Sequence, residues 1–269
     1  MTIKFKNVYV NDVSTVAGPY VIEGPLSGKF DKEFYDFYDG EKTFELCEMK
    51  ELKESIDILL SKTGKNPTDI NCMLSSDLMN QVTVSNYVAS KLDISYLGLY
   101  NACASMCESI LIASTFIDSN KFKNAICTTS SHNMTAERQF RNPVEYGAPK
   151  PKTTTFTVTG ATSILLQGEK TNIRVESATI GNVIDMGVKD ITDMGSVMTP
   201  SAAFTLNKHL KDTNRSMDYY DKILTGDLGV YGKDLFKAYC KKEYNLDILD
   251  NYDDSATKIY NLNNDGVYA

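Results

Sequence analysis

The feature that most constrains this chain is a stretch of sequence used twice. Asp69-Ile70-Asn71-Cys72-Met73-Leu74-Ser75-Ser76-Asp77-Leu78 aligns with Tyr219-Tyr220-Asp221-Lys222-Ile223-Leu224-Thr225-Gly226-Asp227-Leu228, an offset of 150 residues. In each copy a short apolar run leads into Asp-Leu, then a helical stretch, then Leu-Asp-Ile, at 92–94 and again at 246–248. A helix–strand–helix unit used twice implies two related halves packed about a pseudo-twofold axis. Chance likeness of two βα units is the alternative that one sequence leaves open.

The pattern between the copies is that of an α/β protein. Lys4 to Val10 reads as a strand and 18–28 as a turn-rich loop. Leu52, Ile56, Leu59 and Leu60 share one helical face, which predicts an amphipathic helix over 42–62, stopped by Gly64 and Pro67. Further strands are expected at 71–75, 96–99, 124–130, 162–167 and 173–184, with a helix over 85–92. From Cys103 to Ile117 the only charge is Glu108, which predicts a helix buried nearly all round. The βαβα order calls for a largely parallel or mixed sheet covered on both faces. The expected division is a first half over 1–170, with a long inserted loop at 137–157, and a second half over 171–269. If the halves match, the second stops roughly 70 residues early, so the chain is expected to be cut short.

Composition excludes several functions. Net charge is -7, against the basic face that nucleic acid or an anionic membrane requires. No apolar run is long enough to span a bilayer, and Met1-Thr2-Ile3-Lys4-Phe5-Lys6 lacks the apolar core of a signal peptide. The protein is therefore expected to stay inside the cell that makes it unless a partner carries it to a membrane. Six cysteines without a C-x-x-C pair, and only His132 and His209, give no structural zinc motif. Five of the six thiols read as buried and free.

The sixth, Cys103, is the candidate for chemistry. Asn101-Ala102-Cys103-Ala104-Ser105 lies where a strand gives way to an apolar helix. A thiol at a helix N-terminus meets the positive end of the macrodipole and unpaired amides, both of which favour thiolate. An acyl-transfer cysteine is activated in this way. A small residue opening a buried helix also serves packing alone, and both readings stand at this point.

The turn of small-Ala-Cys-small-Ser resembles the nucleophile turn of thiolases and ketoacyl synthases. A wider set of blocks resembles the stage V sporulation protein AD family: Ala17-Gly18-Pro19, Gly24-Pro25-Leu26, Asp77-Leu78-Met79-Asn80-Gln81-Val82-Thr83, Thr129-Ser130-Ser131-His132-Asn133, Gln139-Phe140-Arg141, Glu145-Tyr146-Gly147 and Asp193-Met194-Gly195-Ser196. The resemblance implies a thiolase-like fold of two related βαβαβ-type halves, the second incomplete. It implies binding of dipicolinic acid (pyridine-2,6-dicarboxylic acid), free or as its calcium chelate, for uptake into the developing spore. It also implies a homodimer, peripheral at the spore inner membrane with the other stage V sporulation A membrane proteins, and no cofactor beyond a Ca2+ carried by the ligand. The enzymes of this fold pair cysteine with histidine and a third group. Here the position matching the first histidine falls in Gly226-Asp227-Leu228-Gly229, and the segment for the third group lies beyond Ala269. Acyl transfer is therefore not expected, and no catalytic residue is assigned. Two rival functions remain: a thiolase-like acyltransferase acting through Cys103, and an interaction subunit without an intact pocket.

The expected ligand-binding residues are Cys103, His132, Asn133, Ser131, Asp77, Asn80, Asp227, Arg138 and Arg141. Asn80, Ser131 and Asn133 enter as members of the matched blocks. His132 either donates to a ligand carboxylate or keeps Cys103 ionised, or is a loop histidine bonded to backbone. Asp77 and Asp227 either hold calcium through oxygen or cap the turns that follow them. Arg138 and Arg141 offer guanidinium forks suited to a planar dicarboxylate, or are solvated surface charge. The loop that carries them, stiffened by Pro143, Pro149 and Pro151, is a third candidate as a dimer contact. His209, on the amphipathic stretch 202–210, reads as a surface residue.

Overall fold

The computed structural model describes residues 1–141, 151, 153–154 and 156–262, which form two compact units. The larger comprises Lys4–Arg141 and Thr157–Glu176. The smaller is built on the residues from 177 onward together with Met1–Ile3. Lys150, Lys152, Pro143 and Pro149 of the inserted loop lie outside the described residues.

The chain opens on β1 (Thr2–Lys4) and β2 (Tyr9–Ala17). The strand expected from Lys4 to Val10 is thus a bend between two strands. Asp118 Oδ1 accepts the amides of Lys6 and Asn7, at 2.8 and 2.9 Å, and turns the chain out of the ladder. The sheet of the larger unit continues with β3 (Lys32–Glu33), β4 (Met73–Ser76), β5 (Tyr96–Gly98), β6 (Asn124–Ser131), β7 (Gly160–Gln167) and β8 (Ile173–Arg174). Its order is β3-β2-β7-β6-β4-β5, with β8 also pairing β2. β7 runs antiparallel to both neighbours, whereas β6, β4 and β5 are mutually parallel. The carboxyl ends of three strands therefore open on one edge, where ligands of open α/β sheets bind.

Helix α1 (Phe44–Thr63) is fixed at both ends. Thr43 Oγ1 accepts the Leu46 amide, and Gly64 closes the helix at φ 64°, a conformation that glycine adopts without steric cost. Its carboxyl half buries Leu52, Ile56, Leu59 and Leu60 against Met73, Ile126 and Leu165. Each such side chain contributes about 1.5–3 kcal/mol by leaving water. Toward its amino end it buries Cys47, Glu48 and Glu51 instead, and Ser55 is buried past its midpoint. Ser55 continues this polar seam through Ser14, Ser163 and Thr128 by hydroxyl contacts of 2.7–3.1 Å.

Helices α2 (Thr83–Ala89) and α3 (Ser105–Asp118) complete the larger unit. Alternation along β6 separates the two faces. Ser130 turns toward α1, where it bonds Glu48, and Cys127 turns toward Ser109 of α3. The all-round burial expected of α3 is not found. Only Ser105, Ser109, Ala113, Ser114 and Ile117 are buried, while Cys107 and Phe116 are exposed. The small residues at every fourth position settle one face on the sheet and leave the other open.

The strand expected over 173–184 divides into β8 and β9 (Ser177–Thr179), and β9 pairs with β1. In the smaller unit follow α4 (Met194–Thr213), β10 (Ile223–Thr225), α5 (Gly229–Tyr244), β11 (Tyr252–Asp254) and α6 (Ala256–Ile259). β10 and β11 are parallel, as β4 and β5 are. Helices α4 and α5 meet at Gly195 and Gly232, where a Cβ on Gly195 would lie 2.6 Å from the Leu228 carbonyl oxygen. Ala203, Leu228, Phe236, Cys240 and Tyr252 form the core beneath them. His209 is not the surface residue expected. Its Nδ1 lies 2.6 Å from Thr179 Oγ1 and its Nε2 lies 2.7 Å from the Tyr220 hydroxyl.

The internal repeat is structural. α1 and α4 each span 20 residues, and each ends on a left-handed cap, at Gly64 and Asn214. A short 3-10 turn follows in each case, at Pro67–Asp69 and Met217–Tyr219, and then β4 or β10.

Candidate functional site

The three parallel strands of the larger unit each deliver one wall of a cleft. Beyond β4 the chain continues as Asp77-Leu78-Met79, and beyond β5 as Tyr100-Asn101-Ala102. Beyond β6 it reaches Glu137 and Phe140. Together these residues line a cavity of about 240 Å3. The Glu137 amide donates to the Leu78 carbonyl at 2.8 Å, which ties the first wall to the third. Phe140 is held by its amide on the Glu137 carbonyl and by the Thr157 hydroxyl, which donates to the Phe140 carbonyl.

Tyr100 stands out because an aromatic ring on the cleft is 72% exposed. Tyr100 and Phe140 with Leu78 and Met79 give the lining aromatic and apolar surface. Its polar groups are Asn101 and the two acids, and no Arg, Lys or His lines it among the described residues.

Asp77 is 4% exposed and turned inward. Its Oδ1 accepts the Met79 amide at 2.9 Å and its Oδ2 the Ser85 amide at 2.7 Å. Burial pushes its pKa up, while those amides oppose the shift. The capping role is thus the one the geometry supplies, with Asp77 shaping the wall. Asn80, one residue past Met79, is exposed. Gln81 and Val82 then both take left-handed backbone, at φ 57° and 48°, before α2 begins.

Cys103 follows immediately on the cleft wall. Ala102 adopts φ 43°, a rare conformation for a residue with a Cβ, and lifts the exposed thiol onto the 3-10 turn Ala102–Ala104 ahead of α3. The Asn101 amide donates to Ser105 Oγ at 3.2 Å, fixing the turn.

His132 is fully buried, packed against Phe37 and Phe44, and faces backbone. Its Nε2 donates to the Phe37 carbonyl at 2.9 Å, and its Nδ1 accepts the Met134 amide at 3.1 Å. Burial lowers its pKa, which keeps the ring neutral. Ser131 donates to the Val158 carbonyl and Asn133 to the Thr157 carbonyl, so both brace the segment beside β7. Arg141 Nη1 donates to the Met134 carbonyl, and Arg138 is exposed on the turn between Glu137 and Phe140. Asp227 belongs to the smaller unit, at φ 62°. Of the expected set, the cleft therefore gathers Asp77 in its lining, and Asn80, Cys103, Arg138 and Arg141 adjoin lining residues in sequence. Tyr100, Asn101, Glu137 and Phe140 were missed. The usable signal was an aromatic side chain directly after a short strand and before the Asn-Ala-Cys turn.

Comparison with known proteins sets this cleft in context. The profile of the family described as stage V sporulation protein AD matches residues 1–269. The stage V sporulation protein AD of Bacillus subtilis is 40% identical over 253 residues, covering 94% of this chain and 75% of that protein. Among solved structures, a variant of Xanthomonas campestris OleA superposes with TM-score 0.62 at 12% identity, covering 96% of this chain and 86% of the other. The 3-oxoacyl-(acyl carrier protein) synthase III of Xanthomonas oryzae gives 0.61 at 14%, covering 96% and 87%. The priming β-ketosynthase of the R1128 polyketide pathway gives 0.57 at 11%, covering 96% and 84%. These structures share the thiolase-like fold, a likeness of architecture at this level of identity.

Proposed function

Because the chain belongs to the stage V sporulation protein AD family, we propose that the cleft of its larger unit binds dipicolinate as the calcium chelate, without acyl transfer. The observation that carries this reading is the lining itself: Tyr100 and Phe140 as aromatic surface, with Asn101 and Glu137 among its polar groups. A planar pyridine ring suits the aromatic walls. The free dicarboxylate carries two negative charges, and a lining that among the described residues holds two acids and no cation disfavours it. The calcium chelate is neutral, and its metal retains open positions that carboxylate and amide oxygens fill. Glu137 and Asn101 are the groups for that contact. Uptake into the developing spore then follows from binding and release of a neutral ligand.

Loss of acyl transfer rests on the same lining. Cys103 keeps the strand-to-helix setting of a nucleophile, but His132 spends both ring nitrogens on backbone, and among the described residues no imidazole lines the cleft. Among the described residues, no helix is long and apolar enough to cross a membrane. Association with the spore inner membrane is accordingly assigned to other stage V sporulation A proteins, with a second copy of this chain as the further partner.

Isothermal titration separates the readings. The chelate is expected to bind saturably, and dipicolinate with excess chelator at least tenfold more weakly. Equal binding of both would remove the calcium argument. A covalent acyl adduct on Cys103 after incubation with acyl-coenzyme A would restore the enzymatic reading.

A further inference from the structure

The polar amino half of α1 holds a second set of chemical groups inside the larger unit, separate from the lining of the cleft. Cys47 and Glu51 lie one helical turn apart on the buried face of α1, and His132 meets them from the segment after β6. One donor atom from each, sulfur, carboxylate oxygen and ring nitrogen, falls within 4.8 Å of the other two. All three residues are 0% exposed. Cys47 Sγ donates to Glu51 Oε1 at 3.3 Å, while Glu51 Oε2 is buried with no hydrogen-bond partner. A buried carboxylate oxygen without a partner is destabilising unless a ligand satisfies it.

We propose that Cys47, Glu51 and His132 form a buried zinc site that fastens the start of α1 to the segment after β6. Thiolate, carboxylate and imidazole are the donor types zinc accepts, and three protein ligands with one water would complete a four-coordinate ion. His132 already has the outer contact of a metal-bound histidine, with Nε2–H on the Phe37 carbonyl. In this tautomer Nδ1 carries the lone pair, so a metal either takes Nδ1 in place of the Met134 amide or takes Nε2 once its proton has left the Phe37 carbonyl. The other acids nearby are committed elsewhere. Glu48 accepts from Ser130 and Thr135, and Asp39 pairs with Lys50 at 2.8 Å. Burial raises both the Cys47 thiol and the Glu51 carboxyl, and zinc takes the deprotonated form of each, so metal binding is expected to release protons. The site has no signature in the sequence, because two ligands come from i and i+4 of one helix and the third lies beyond residue 130. The segment it would anchor leads directly to Glu137 and Phe140 of the cleft.

Cobalt(II), as a spectroscopic substitute for zinc, tests this on the full chain. One equivalent is expected to give a thiolate-to-cobalt charge-transfer band with strong visible absorption, bleached by one equivalent of zinc. Cys47→Ala abolishes the charge-transfer band, and Glu51→Gln weakens affinity by at least about tenfold. Replacing the exposed thiols, Cys103→Ala with Cys107→Ala, leaves the band intact. A band that persists in Cys47→Ala, or vanishes with the exposed thiols, overturns the assignment, as does its absence from the unsubstituted chain. X-ray absorption of the zinc-loaded unsubstituted chain decides the matter if the variants misfold. One sulfur at about 2.3 Å with nitrogen and oxygen ligands at about 2.0 Å supports the site, and a shell of oxygen and nitrogen alone refutes it.

Discussion

The two copies of the repeated unit solve the same capping problem with different residues. In the larger unit Asp77, directly after β4, turns inward and holds the amides of Met79 and Ser85. In the smaller unit its counterpart Asp227 sits at φ 62°. Asp254, at the end of β11, takes over instead. Its carboxylate accepts the amides of Leu228, Gly229 and Ala256 and the Thr225 hydroxyl. The helix start shifts with the cap. α5 begins two residues after Asp227, whereas the left-handed turn through Gln81 and Val82 delays α2 until six residues after Asp77. That delay gives the first copy a longer wall after its strand. Two residues past the neighbouring strand, the first copy carries Tyr100 and the second Ala256. One copy thus presents an aromatic cleft, while the other commits its residues to closing a helix.

The largest effect is expected where the cap is most heavily used. Asp254→Ala leaves three buried amides without their acceptor and costs about 3 kcal/mol, against about 2 kcal/mol for Asp77→Ala. Urea unfolding measures both, and the reverse order would break the comparison. Next comes ligand binding. Tyr100→Ala is expected to weaken calcium dipicolinate at least about tenfold, some 1.4 kcal/mol, with unfolding unchanged because the ring is largely exposed. Substitutions in the second copy should leave calorimetric affinity intact.

A smaller effect separates the copies by pH. Lys233, Lys258 and Lys222 surround Asp253 at 2.5, 2.8 and 3.6 Å. Burial alone would raise this carboxyl, but the lysine bonds hold it well below its ordinary value of 3.8. Its stabilisation is therefore present above pH 3.8 and lost as pH falls below it. Asp253→Asn should cost about 1 kcal/mol at pH 7, with solvent weakening the outer lysines, and should flatten the acid limb of stability. Asp77 shifts the other way, since burial raises it, so its contribution declines as pH rises above 3.8.

The repeat, the α/β class and α1 with its stop at Gly64 were legible in the sequence, because periodicity and helix stops are local, whereas its N-cap Thr43 was not read. The function of Asp77 was legible only as a pair of alternatives, since an inward and an outward aspartate read alike in one dimension. His132 shows the same limit: its neighbours include Phe37, 95 positions earlier. The open face of α3 contradicts its nearly uncharged sequence, because periodicity reports how apolar a face is and not what covers it. The cleft itself depends on three strands being parallel and adjacent, a topological fact that no single segment carries.

The most direct test is a crystal structure of the full chain with calcium dipicolinate. The account predicts the pyridine ring against Tyr100 and Phe140, and an anomalous calcium signal within coordination distance of Glu137. An empty cleft at saturating chelate, or a ligand seated in the second copy beside Asp227, would contradict it.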